Sequence, residues 1–104
     1  MQMGCIMVKN RLKAEARKQL DNDKVVVTEW VFNSGSETGW HKHELDYIVV
    51  PSMDGTLLLE TDEGVNVVDL KKGQSYFRAA GVKHNVVNNN DFEFSFVEIE
   101  LRTI

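Results

Sequence analysis

The chain is poor in the residues that define several protein classes. One cysteine, Cys5, in 104 residues excludes an internal disulfide and suits a reducing compartment, so a cytoplasmic location is expected. A single proline, Pro51, cannot donate to a ladder and should mark a strand end or bulge. No apolar run approaches the roughly 20 residues that a membrane-spanning helix needs. The opening Met-Gln-Met-Gly-Cys-Ile-Met-Val-Lys has no leading charge and no long apolar centre, so no signal peptide is expected. Basic residues are outnumbered, 12 Lys and Arg against 16 Asp and Glu, which argues against a nucleic-acid partner. No helix follows the glycines, so a phosphate cradle is not indicated. Histidine is scarce too, with three in all, and their placement carries most of the information.

What is present is ordinary for one globular domain, with 42% hydrophobic and 27% charged residues. The stretch from Asn10 to Leu20 is rich in strong helix formers and spaces Leu12, Ala16 and Leu20 by four. A short helix or a partly ordered arm is expected there, within an N-terminal arm of residues 1–23. The domain proper then spans 24–104. Val25 to Phe32 is dense in β-branched and aromatic residues, and His41 to Val50 reads as the next strand, closed by Pro51. Asp54-Gly55 and Asp62-Glu63-Gly64 are hairpin signals on either side of Thr56–Glu60, with Val65–Leu70 returning. Gln74–Arg78, His84–Val87 and Phe92–Leu101 complete the set. Short strands between Gly-rich turns imply a sandwich or barrel, and no interleaved helices suggest a parallel sheet.

The last strand has an unusual pattern. Phe92, Phe94 and Phe96 share one face, while Val97, Ile99 and Leu101 share the other. Either a bulge reverses the phase, or both faces are covered, the outer one by a second subunit. A homodimer is therefore expected, with Val97, Ile99 and Leu101 as contacts and the segment through Leu20 as a crossing arm. Glu98 follows Phe96 on the inner face, either as a cavity carboxylate or as a solvated strand-end residue.

His41 and His43 form a His-x-His pair. On an extended strand they project to one side, their alpha carbons roughly 6.6 Å apart. His84, on a neighbouring strand, would complete a three-imidazole site for a divalent ion with positions open to water or substrate. All three histidines are then used, so a Ser-His-Asp arrangement is not indicated. Glu44 and Asp46 flank the pair and read as a solvated face.

The spacing around these residues resembles the cupin family. Gly35, five residues, His41-x-His43 and a closing Gly55 match its first motif. Gly73, five residues, Ala79 where Pro is usual, then Gly81, His84 and Asn88 match its second. Within the family, Thr28-Glu-Trp30 and Gly39-Trp-His-Lys-His-Glu-Leu-Asp-Tyr-Ile-Val-Val-Pro51 are similar to the small BauB-type cupins, associated by name with beta-alanine degradation. The resemblance implies an antiparallel jelly-roll β-barrel and His41, His43 and His84 as metal ligands. It also implies a glutamate as fourth ligand, which this chain lacks. Its position falls on Tyr47 or Ile48, and strand parity selects Tyr47.

Three neutral imidazoles leave a divalent ion such as Fe, Zn, Ni or Mn with its full charge, which favours an anionic small-molecule ligand. Tyr47 would stack on that ligand, bind the ion as phenolate, or serve as a core residue. Trp30, Tyr76, Arg78 and Glu98 are the other pocket residues expected, Arg78 as a carboxylate clamp. The function expected is a metal-dependent oxygenase or isomerase acting on a small carboxylated or carbonyl metabolite. The other reading is a non-catalytic ligand-binding or sensor cupin.

Overall fold

A computed structural model describes residues 11–102. Cys5, Asn10 and the other residues of the first ten lie outside that range. Nine strands run through the described residues: β1 Glu15–Asp21, β2 Val25–Phe32, β3 His41–Lys42, β4 Asp46–Pro51, β5 Gly55–Thr61, β6 Gly64–Leu70, β7 Tyr76–Arg78, β8 Lys83–Val87 and β9 Phe94–Leu101. They form a five-stranded sheet in the order β1-β2-β9-β4-β7 and a four-stranded sheet in the order β3-β8-β5-β6. Every strand pairing is antiparallel. This is the two-sheet jelly roll expected.

The alternation in the sequence explains the core. Inner positions of β2, β4 and β9 bring Phe32, Val49, Phe94 and Phe96 together with Leu57, Leu70 and Val86 of the opposite sheet. Chain reversal into β5 is tight. A Cβ at Gly55 would lie 2.8 Å from the Phe94 ring, so the position admits no side chain. The motif residue Asn88 is fully buried and donates to the carbonyls of Phe32 and Phe92, which pins the turn before β9.

Four expectations need correction. The Asn10–Leu20 reading as a helix fails. Glu15–Asp21 is a strand paired with its own chain's β2, bulged between Lys18 and Leu20. Helix propensity differs by only tenths of a kcal/mol per residue, and ladder bonds to β2 outweigh it. Leu12, Ala16 and Leu20 are all exposed, so their spacing by four docks on nothing among the described residues.

His41 to Val50 is not one strand either. The chain leaves the four-stranded sheet after Lys42 and enters the five-stranded sheet at Asp46. Phe92 precedes β9 and is 46% exposed, so it does not share the buried face of Phe94 and Phe96. No bulge reverses the phase of β9, because its register with β2 and β4 is unbroken. Both faces are therefore apolar. Val97, Ile99 and Leu101 are half-buried on the outer one.

Candidate metal centre

His41 and His84 sit directly opposite one another on the β3–β8 ladder. His43 lies just past the end of β3 but is held from both sides. Its N–H donates to Val82 O and its carbonyl accepts from Gly81 N, each at 2.8 Å. The three rings meet edge to face, and Nε2 of His43 stands 3.1 Å from Nε2 of both His41 and His84. Imidazoles bound to one ion at about 2.0–2.1 Å approach to that spacing.

The protonation pattern also fits a cation. Gly39 O can only accept, so His41 Nδ1 donates to it at 2.8 Å and leaves the Nε2 lone pair aimed at the cluster. A proton on His43 Nε2 would satisfy one neighbour and face the other's lone pair. A divalent ion satisfies all three. Burial and then the charge of His41 push both His43 and His84 down to about 4, so these rings are neutral at pH 7 and could serve as ligands.

The cluster opens into a cavity of about 110 Å³. Trp30, Tyr47, Tyr76, Arg78 and Glu98 line it together with the histidines, so the structure gathers all eight sequence-selected residues at one cavity. Tyr47, the position that parity selects for the missing glutamate, lines the cavity. Its buried ring stacks on His43, centroids 3.9 Å apart and 19° from parallel. Burial, then Glu98, raises the phenol in the metal-free chain.

Arg78 is exposed at the cavity wall, its guanidinium 4.6 Å above the Tyr76 ring and donating to Phe77 O. Glu98 is 8% exposed, which overturns the solvated alternative: its position continues the inner face of Phe94 and Phe96. Trp30 Nε1 donates to its Oε1 at 3.3 Å. Burial pushes Glu98 up to about 7 despite that bond. Its Oε2 is 3.8 Å from His43 Nδ1, too far for a hydrogen bond.

Glu44 is exposed, and Asp46 accepts from Ala80 N at 2.8 Å, so neither joins the cluster. Thr38, Thr61 and Asn66 also line the cavity and had no signal in the sequence. Asn85, next to His84, was likewise unmarked, because its partners lie 25 to 48 residues away.

Comparison with known proteins agrees with this geometry. The cupin domain family matches residues 28–100. Over 92 residues the chain is 54% identical to the beta-alanine degradation protein BauB of Pseudomonas aeruginosa, covering 88% of this chain and 97% of that protein. A crystal structure of a cupin domain from Bordetella pertussis Tohama I superposes with a TM-score of 0.90 at 52% identity, covering 92% of this chain and all of that one. A double-stranded β-helix protein from Klebsiella pneumoniae shares the fold at 21% identity, with a TM-score of 0.71 over 93% of this chain and 83% of that one. With its two-sheet barrel and its histidines at the motif positions, the chain belongs to the cupin family.

Proposed function

We propose that this cupin is a metal-dependent enzyme, of oxygenase or isomerase type, acting on a small carboxylated or carbonyl metabolite. The observation that carries the reading is the convergence of three imidazoles at the wall of a small cavity. His41, His43 and His84 would hold a divalent ion, which when bound supplies a Lewis acid toward substrate oxygens and acidifies coordinated water. The cavity's apolar walls, Val49, Leu57, Val86 and Phe96, and its small volume suit a ligand with a short carbon skeleton.

Arg78, at the cavity wall, is the group suited to a substrate carboxylate. The name of the Pseudomonas relative, with its 54% identity, supports a carboxylated substrate. Glu98, poised near neutrality inside the cavity, supports turnover over simple binding, because proton transfer needs a group of that kind.

Protein reconstituted with Fe²⁺, Zn²⁺, Ni²⁺ or Mn²⁺ tests the proposal in a screen of short amino, hydroxy and oxo acids for product formation and O₂ consumption. Turnover with one metal and one acid class is expected. Tight metal-dependent binding with no turnover across the screen would make the chain a binding or sensor protein instead.

We also infer a cytoplasmic homodimer. The half-buried Val27, Ile48, Val50, Val97 and Ile99 form an apolar outer sheet face that a second copy would cover. Sedimentation equilibrium at micromolar concentration should give twice the chain mass; a monomer contradicts the inference.

A further inference from the structure

Beside the histidines lies a polar network that metal binding does not itself require. Arg11 Nη1 donates to Glu37 Oε1 and Glu60 Oε1, each at 3.1 Å, and Nη2 donates to Glu60 Oε2 at 3.0 Å. Asn85, 1% exposed, donates its Nδ2 to the same two Oε1 atoms at 2.9 Å. Two carboxylates thus share one guanidinium and one amide, and taking the guanidinium from between them raises their mutual repulsion.

Their demand on Nδ2 leaves Asn85 a single orientation. Its Oδ1 must face the other way, where it accepts the Gly39 N–H at 2.9 Å. The Gly39 carbonyl in turn accepts from His41 Nδ1 at 2.8 Å and fixes the tautomer that binds metal. Gly39 has φ +92°, so the tilt of this carbonyl depends on a conformation that other residues rarely adopt. The segment carrying Arg11 is itself laid on the loop, with Glu37 N donating to Leu12 O at 2.9 Å and Ala14 N to Glu37 O at 2.7 Å.

We propose that Arg11 is a positioning residue for His41, acting through Glu37, Glu60, Asn85 and Gly39, so that the N-terminal segment sets the affinity of the histidine site for a divalent ion. This rests on the metal reading above. Loss of the guanidinium lets the carboxylates separate, frees the Asn85 amide and releases the carbonyl that orients His41. Lys13 is the comparison. It pairs with Glu37 at 3.6 Å and its ammonium lies beside Gly39, but it is largely exposed and makes no bond to Glu60 or Asn85 among the described contacts.

The experiment compares Arg11→Met, Lys13→Met and Arg11→Met/Glu60→Gln with the parent in two readouts. The first is Co²⁺ affinity by calorimetry. The second, on metal-free protein, is Gly39 amide exchange together with the His41 ring tautomer by NMR. Arg11→Met is expected to weaken Co²⁺ about tenfold, within the range for partners that orient ligands. It should also speed Gly39 exchange and mix the His41 tautomers. The double variant, which removes the repulsion, should recover most of both effects, and Lys13→Met should stay close to the parent. Should Arg11→Met not fold, Arg11→Lys keeps the charge but cannot bridge both carboxylates in the same way, and it carries the same readouts.

If Arg11→Met and Lys13→Met are indistinguishable in both measurements, the proposal is overturned. If the parent itself binds no Co²⁺, the metal reading falls, while unaltered Gly39 exchange and His41 tautomer in Arg11→Met would separately dispose of the relay.

Discussion

Phe94 and Glu98 stand four residues apart on the same buried face of β9, and they mark two ends of one barrel that differ in kind. At the Phe94 end, Phe32 and Phe96 pack with ring centroids 5.5 Å apart, Gly55 brings its backbone against the Phe94 ring, and Asn88 satisfies the carbonyls that close the end. At the Glu98 end the same strands present polar side chains. β2 passes from Phe32 to Trp30 and Thr28, β4 from Val49 to Tyr47, and β8 from Val86 to His84. The two-residue period is unchanged; what differs is the chemistry placed on it. A dry end that supplies stability leaves the other end free to hold a cavity, neutral imidazoles and a carboxyl that burial keeps from ionising readily.

The sharpest break in that comparison comes from the dry end. Phe94→Ala should cost about 3–5 kcal/mol in urea unfolding, because Gly55 and Phe32 cannot collapse onto the vacated space. If the ends are independent, the folded fraction keeps its Co²⁺ affinity. A parallel fall in affinity would show that the core positions the site.

The complementary change is His43→Ala, at the ring that stands 3.1 Å from both its partners. Divalent-ion affinity should drop by on the order of 100-fold or more, judged against the 10–100-fold cost of losing only an orienting partner. Unfolding stability should change less than in Phe94→Ala.

The two ends should also separate by pH. His43 and His84 are held at about 4 in the folded chain against roughly 6.5 unfolded, so the unfolded state takes up protons first. Metal-free protein should therefore lose stability as pH falls from about 6.5 toward 4. Glu98 has the opposite sign. Held up at about 7 against roughly 4.5 unfolded, it costs stability above pH 7, and that cost is relieved as pH falls toward 4.5. Glu98→Gln should accordingly gain about 1–3 kcal/mol at pH 8 and nothing near pH 4.5. Denaturant midpoints at the two pH values check this, and an equal shift at both would mean that Glu98 is not desolvated.

The smallest effect is expected at Tyr47. With its phenol raised and its face on His43, Tyr47→Phe should alter divalent-ion affinity by less than about threefold, the outcome for a group that is not a ligand. Tyr47→Glu should strengthen cation binding and weaken anionic ligands by cancelling part of the site's charge. Calorimetry with Co²⁺ and with a short carboxylate reads both.

How far these ends could be foreseen depended on the range of the interactions. Alternation along β2 and β9 is local, so Phe32, Phe94, Phe96 and the inward aim of Glu98 were legible. The histidines were legible as a set because each motif carries its spacing within one short stretch, Gly35 to Gly55 and Gly73 to Asn88. The break between Lys42 and Asp46 was not, since it is imposed when the chain changes sheets, and no Gly or Pro announces it. Tyr47 faces the cavity even though the continuous strand used to argue its direction does not exist. Residues 15–20 misled because local helix propensity was set against a ladder partner that only the fold supplies. The Arg11 network was invisible for a similar reason: its members come from four separate stretches of chain and share no pattern.

X-ray absorption on metal-loaded protein, combined with metal analysis, tests the central claim most directly. One divalent ion per chain with three imidazole nitrogens at about 2.0–2.2 Å is the expected result. An ion bound without imidazole scattering, or no stoichiometric ion at all, would contradict it.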